Sequence, residues 1–176
     1  MTLPVSKWIS YYCRDPERYR WDLMWNGGKV TGAVAHPHPK IYLGDPASVI
    51  PPDVTAVVNV AAEIKNRSDL GVNIEQYKSG VCGIDSFCGA VFLIGGLVKS
   101  DGHTVLVHCM SGISRSVSVV ATITAMLNRS TVVSEIVRIA SERPEICPEP
   151  CYVIFGEMLN GEFKNEGDNR ANPENR

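Results

Sequence analysis

The chain has 176 residues, a formal net charge of −2 and 44% apolar residues. These values predict one domain with a sizeable core, and the near-zero charge disfavours nucleic acid or an acidic membrane as a partner. No apolar run approaches the roughly 18 residues that span a bilayer, and the first residues lack the apolar stretch of a secretory signal. We therefore expect an intracellular protein of the cytoplasm or the nucleus.

Residues 1–28 are predicted to be a helical extension that precedes the domain. The segment is crowded with aromatic side chains, which are Trp8, Tyr11, Tyr12, Tyr19, Trp21 and Trp25. Pro16 suits the first turn of a helix with Asp15 as its cap, and Asn26-Gly27-Gly28 ends that helix. Three roles stay open for the extension: packing on the domain, covering the functional site, or pairing with a second copy in a homodimer.

Residues 29–160 are predicted to form the domain, which begins with strands and a buried helix. The predicted elements of this half are an exposed turn-rich loop at His36–Pro39, strand Ile41–Gly44, a small helix at Pro46–Val49, strand Val54–Val60, loop Asn66–Gly71, strand Ile74–Cys82 and helix Phe87–Lys99. The β-branched run of Val54–Val60 is typical of a strand covered on both faces.

The second half adds one strand and then helices. Its predicted elements are strand Thr104–Val107, helix Arg115–Leu127, amphipathic helix Thr131–Glu142 and helix Cys151–Leu159. Residues 161–176 are polar and are predicted to form a disordered tail. The order of elements indicates an α/β fold with a central, mostly parallel sheet flanked by helices.

The most informative stretch is TVLVHCMSGISRS, in which a buried strand leads through a tight loop into a helix. Successive backbone N–H groups of such a loop point inward above the positive end of the helix, so the loop can bind an anion. Gly112 permits a backbone angle that other residues resist. Arg115 offers a planar fork of donors that suits two phosphate oxygens.

Cys109 supplies the reactive group in this loop. A thiol at a helix N-terminus beside an arginine loses its proton readily, and a thiolate within a phosphate-binding loop is a nucleophile directed at phosphorus. Ser116 can donate a hydrogen bond to the sulfur when the sulfur leaves again. His108 precedes the nucleophile and can orient the loop through its ring nitrogens.

The sequence HCMSGISRS resembles the HC-x-x-G-x-x-R-S loop of the protein tyrosine phosphatase superfamily, and its setting VLVHC and IYLGDPASV resembles the dual-specificity branch. The resemblance covers about Ile41 to Leu159. It implies hydrolysis of phosphate monoesters through a phospho-cysteine, with no metal or other cofactor. Phosphate-binding residues would be Met110, Ser111, Gly112, Ile113, Ser114 and Arg115. A sulfur-transfer loop is disfavoured by the preceding histidine and the following Arg-Ser.

The leaving oxygen needs a proton, and Asp85 is our candidate general acid. It follows a Tyr-led strand, as the acid of the resembled family does, whereas Asp101 lies at the far end of the strand before Cys109. The segment from Asp85 to Cys109 is shorter than in that family, so Asp85 could instead be only the N-cap of the next helix. In that case Asp69 or Glu75 could supply the proton.

The expected partner is a phosphoprotein substrate bearing phosphotyrosine, phosphoserine or phosphothreonine. None of the variable loop positions is basic, which disfavours phosphoinositides and RNA 5′-phosphates. A phospho-binding module without turnover remains the non-enzymatic alternative. Cys82 or Cys88 could pair with Cys109 on oxidation, but both are interpreted as small core residues. Cys147-x-x-x-Cys151 lacks a second pair of metal ligands.

Overall fold

The computed structural model of this protein describes residues 32–61 and 83–171, with side chains up to residue 164. The predictions for 1–28, Asn66–Gly71 and Ile74–Cys82 therefore lie outside the described residues. The elements in chain order are β1 (Ala35–His38), β2 (Ile41–Gly44), β3 (Ala56–Asn59), α1 (Ile84–Lys99), β4 (Val105–His108), α2 (Arg115–Asn128), α3 (Val132–Glu142) and α4 (Pro150–Ala171).

The strands form one sheet in the order β1-β2-β4-β3. Strand β4 pairs in parallel with β2 and with β3, whereas β1 joins the edge antiparallel to β2. Gly44 and Asn59 both lie in register with His108, so the carboxyl ends of three strands meet at one edge. The prediction of an α/β fold with a mostly parallel sheet is confirmed.

The core lies between this sheet and α2. Strands β3 and β4 are buried along their whole length, as expected of parallel strands within a layered fold. Helix α2 is buried from Arg115 to Ala125, and it contacts the sheet as well as α1, α3 and α4. Burying a side chain such as Val119 or Ile123 contributes roughly 1.5–3 kcal/mol to stability. This packing fixes the first turn of α2 against the end of β4.

Two predictions near the start of the domain are wrong. Residues predicted as an exposed loop at His36–Pro39 belong largely to β1, where Pro37 is tolerated because β1 is an edge strand. The predicted helix at Pro46–Val49 is instead a turn. The Asp45 carboxylate accepts hydrogen bonds from the Ala47 backbone N–H at 2.8 Å and from the Ser48 hydroxyl at 3.3 Å, which favours a turn over a helix.

The last helix is longer than predicted. Helix α4 does not end at Leu159 but continues to Ala171, through most of the segment predicted as a disordered tail. Asn160 Nδ2 and Lys164 Nζ, one helical turn apart, both donate to the backbone carbonyl of Ser130, at 2.9 and 2.7 Å. Lys99 Nζ also lies 5.6 Å from the centre of the Phe163 ring. These contacts dock the polar second half of α4, whereas Tyr152 and Val153 in its first half belong to the core.

Across the two described ranges, no single helix is long and apolar enough to cross a membrane, although α2 and α3 together satisfy the length and composition criteria with a bend of 118° between them.

Candidate active site

The loop of residues 109–114 connects the carboxyl end of β4 to the N-terminus of α2. Gly112 has φ +67°, in the left-handed region that favours glycine. A Cβ atom at this position would collide with the backbone carbonyl oxygen of Gly44, at the end of the neighbouring strand β2. The loop is therefore pressed against the sheet edge, and only glycine allows this approach.

Cys109 lies at the start of the loop and is only 2% exposed. The Ser116 hydroxyl donates a hydrogen bond to Sγ over 3.2 Å. Burial alone raises the pKa of the Cys109 thiol, but the Ser116 hydroxyl, the backbone N–H groups of Ser116 and Ser111, and the Arg115 guanidinium favour the thiolate and hold the pKa below its ordinary value. The site thus favours a buried thiolate, the form of cysteine that attacks electrophiles.

Two predicted site residues, Arg115 and His108, flank the loop. Arg115 is the first residue of α2 and is buried. His108 is also buried, and its Nδ1 lies 3.3 Å from the carbonyl oxygen of Cys109. The imidazole therefore touches the backbone that carries the thiol, although its orienting role stays a prediction.

The predicted phosphate-binding residues differ in what they present to solvent. Met110 is 39% exposed and forms part of the solvent-facing rim of the loop. Ile113 is buried, and its carbonyl accepts a hydrogen bond from the Cys147 backbone N–H at 2.9 Å. The Ser114 hydroxyl accepts from the Glu149 N–H at 3.0 Å. The outer side of the loop is thus anchored by the segment between α3 and α4.

Replacing Ser116 with alanine is expected to make the Cys109 thiol less acidic by roughly one to two pKa units, because a hydrogen bond to a charged group contributes roughly 1.5–3 kcal/mol. Since Ser116 lowers the pKa of the Cys109 thiol, its loss raises that pKa and should move the pH dependence of Cys109 alkylation by iodoacetamide to higher pH. Thr124→Val removes a buried hydroxyl that bonds the Val120 carbonyl of the same helix. This control should leave the pH profile unchanged; a profile that moves equally in both variants would contradict the role of Ser116.

Asp85 lies exposed in the first turn of α1. Residues 100–104 join α1 to β4, and the helix packs against that strand, so α1 begins at the sheet edge where the loop lies. Asp85 therefore shares this end of the molecule with Cys109, whereas Asp101 lies at the opposite end. Gly83 occupies the N-cap position, so the alternative that Asp85 is the N-cap is wrong. Its role as general acid stays a prediction.

Sequence reasoning missed Arg143, a buried residue that lies against the loop. It stands at the end of α3 before a proline-rich bend. No sequence signal marks its burial, since an arginine at the end of an amphipathic helix is ordinarily exposed and favoured there by the helix dipole.

No family model and no curated protein sequence matches this chain. Solved structures do match. PTPMT1 is 18% identical with a TM-score of 0.62, covering 77% of this chain and 99% of that one. DUSP15 is 19% identical with a TM-score of 0.62, covering 78% and 96%. The human tyrosine phosphatase-like serine/threonine/tyrosine-interacting protein is 20% identical with a TM-score of 0.60, covering 74% and 97%. This chain therefore has the fold of the dual-specificity phosphatases, the same branch whose loop motif its sequence resembles.

Proposed function

We propose that this protein is a cysteine-dependent phosphatase that hydrolyses phosphotyrosine and phosphoserine or phosphothreonine in protein substrates. The observation that carries the proposal is the buried Cys109 thiol, whose pKa is lowered by Ser116, loop N–H groups and Arg115. A thiolate surrounded by donors suits attack on a phosphorus atom whose oxygens those donors hold. The fold shared with phosphatases of known structure supports the same chemistry.

The reaction would proceed in two steps. Cys109 Sγ forms a bond to phosphorus while the bond to the ester oxygen breaks, and Asp85 gives its proton to that oxygen. Water then attacks the phospho-cysteine and loses a proton to Asp85, the S–P bond breaks, and inorganic phosphate leaves. Arg115 and the loop N–H groups stabilise the charge on the equatorial oxygens in both steps. Ser116 stabilises the departing thiolate.

The loop chemistry favours protein side chains as substrates. The variable positions Met110, Ser111, Ile113 and Ser114 carry no charge, and the exposed rim residue Met110 is apolar. Such a rim offers nothing to the additional phosphates of a polyphosphorylated headgroup, and it suits the carbon skeleton of an amino acid. PTPMT1 was solved in complex with PI(5)P, which makes that lipid the necessary competitor in any substrate test.

The substrate class is tested by measuring phosphate release from five substrates. These are a phosphotyrosine peptide, a phosphothreonine peptide, a doubly phosphorylated peptide, PI(5)P in phosphatidylcholine vesicles and an RNA 5′-triphosphate. We expect the highest kcat/KM on the phosphotyrosine peptide and measurable release from phosphothreonine. Release from the lipid or the RNA alone would overturn the protein assignment. Peptide binding without release of phosphate would favour the phospho-binding module. The structural neighbour that is named phosphatase-like and interacting supports keeping this alternative.

Replacing Asp85 with asparagine is expected to lower kcat by about 10²- to 10⁴-fold, the usual contribution of a general acid. The loss should be larger with an alkyl phosphate than with para-nitrophenyl phosphate, because a poor leaving group depends more on protonation. The decline of the rate with rising pH should also disappear. Asp101→Asn, an exposed aspartate at the opposite sheet edge, serves as the matched control. If kcat fell equally for both substrates, another residue would have to be the general acid.

A further inference from the structure

Arg143 is among the largest fully buried side chains of the described residues, with 1% of its surface exposed. It follows α3 directly as its C-cap residue. A guanidinium is costly to bury unless it is paired and hydrogen-bonded. Its partners therefore indicate what this residue holds in place.

The guanidinium joins three separate parts of the chain. Nε donates to Glu145 Oε1 at 2.9 Å, and Nη1 donates to the carbonyl oxygen of Ala33 at 3.3 Å, just before β1. Nη1 also lies 2.7 Å from the position that a Cβ on Gly112 would occupy. The charged group is therefore packed directly behind the glycine at which the phosphate loop turns.

The segment that Arg143 begins continues along the same side of the loop. Its carbonyl accepts from the Ile146 N–H at 3.2 Å, the Cys147 N–H donates to the Ile113 carbonyl at 2.9 Å, and the Glu149 N–H donates to the Ser114 hydroxyl. Three consecutive loop residues, 112–114, thus contact the segment of residues 143–149. Gly112, the first of them, meets it through the Arg143 guanidinium rather than through a hydrogen bond between backbones.

We propose that Arg143 is a positioning residue of the phosphate loop, which holds Gly112 and its neighbours in the conformation that points their N–H groups at a bound phosphate. The catalytic part of this inference rests on the proposed phosphatase function. Arg143 touches no reacting atom in this scheme. It acts by keeping the loop from relaxing away from the end of β2.

The test compares Arg143→Met and Arg143→Lys with the control Arg138→Gln. Arg138 lies on the same helix α3, pairs with Glu135 and has a side chain that is 44% exposed, so its loss removes an ion pair that includes no residue of the loop. A misplacement of about 1 Å can cost on the order of 10²-fold in rate. We expect Arg143→Met to lower kcat/KM for para-nitrophenyl phosphate by about this factor and to weaken inhibition by tungstate in parallel. Arg143→Lys should be intermediate, because a single ammonium cannot replace a planar fork.

A second readout separates positioning from mere stability. Loss of alignment of the loop N–H groups should move the acid limb of kcat/KM to higher pH in both Arg143 variants and not in Arg138→Gln. If the variants melt at lower temperature but keep the control's kcat/KM, tungstate inhibition and pH limb, Arg143 is only structural and the proposal is wrong. If Arg143→Met does not fold, Arg143→Lys decides.

Calorimetric titration of tungstate distinguishes this failure from failure of the proposed function. A wild-type protein that binds tungstate but hydrolyses nothing would reject the phosphatase. The positioning role would still stand if Arg143→Lys bound tungstate at least tenfold more weakly than Arg138→Gln, and it would fall if the two bound equally.

Discussion

Replacing Cys109 with serine is expected to lower kcat for para-nitrophenyl phosphate by at least about 10⁴-fold, because the variant loses its nucleophile. A serine hydroxyl at this position stays protonated at neutral pH, and the loop donors that favour the thiolate cannot ionise it. The loop itself keeps its glycine, its arginine and its backbone donors. The variant should therefore still bind phosphopeptide or tungstate while releasing no phosphate.

The matched control is Cys88→Ser, a partly exposed free cysteine on α1. Its thiol has a pKa raised by burial and by the nearby carboxylate of Asp85, so it is a poor nucleophile, and its loss should change kcat by less than a few-fold. Acid quenching of the wild type during turnover, followed by peptide mass spectrometry, should find phosphate on Cys109. Phosphate on another residue, or turnover that survives Cys109→Ser, would reject the mechanism.

Replacing Arg115 with lysine is expected to lower kcat/KM by about 10³-fold, within the range that an arginine contributes to phosphoryl transfer. A lysine keeps the positive charge but presents one compact ammonium in place of two parallel N–H donors. Because the charge near Cys109 remains, the acid limb of the pH profile should move little while the rate falls steeply. This pattern would separate the geometry of the fork from its charge.

Arg138→Lys provides the comparison for this variant, since it makes the same chemical change in an ion pair between the exposed Arg138 side chain and the buried Glu135. We expect its kcat/KM to stay within a few-fold of the wild type. An Arg115→Lys enzyme that retained a third or more of the wild-type kcat/KM would show that the bidentate geometry does not matter here.

The conformation of the loop of residues 109–114 could be predicted because it depends on local sequence. Cys109, Gly112, Arg115 and Ser116 lie within eight positions of the sequence, and a strand-loop-helix connection leaves their relative placement few alternatives. The hydrogen bond from Ser116 to the thiol follows from that local geometry. Helix α2 was predicted nearly to its last residue for the same reason, since its apolar run has no internal breaker.

The features that were missed depend on contacts between distant parts of the chain. Arg143 meets Gly112 only after α3 has packed beside β1 and α2, and nothing near Arg143 in the sequence reports this. The polar end of α4 has no apolar periodicity, but Ser130 supplies a carbonyl that both Asn160 and Lys164 reach. Strand β1 forms, despite Pro37, because it pairs with the free edge of β2.

The parallel arrangement of β2, β4 and β3 has a consequence for how proteins of this shape diversify. Strand β2 ends beside the loop of residues 109–114, so the residues that leave β2 lie next to that loop. Residues 100–104 lie at the opposite end of β4, so they can stay unchanged and maintain the fold while residues near the loop are varied. Libraries that seek altered selectivity should therefore randomise the exposed Val49 and Ile50 together with Met110, and should leave residues 100–104 untouched.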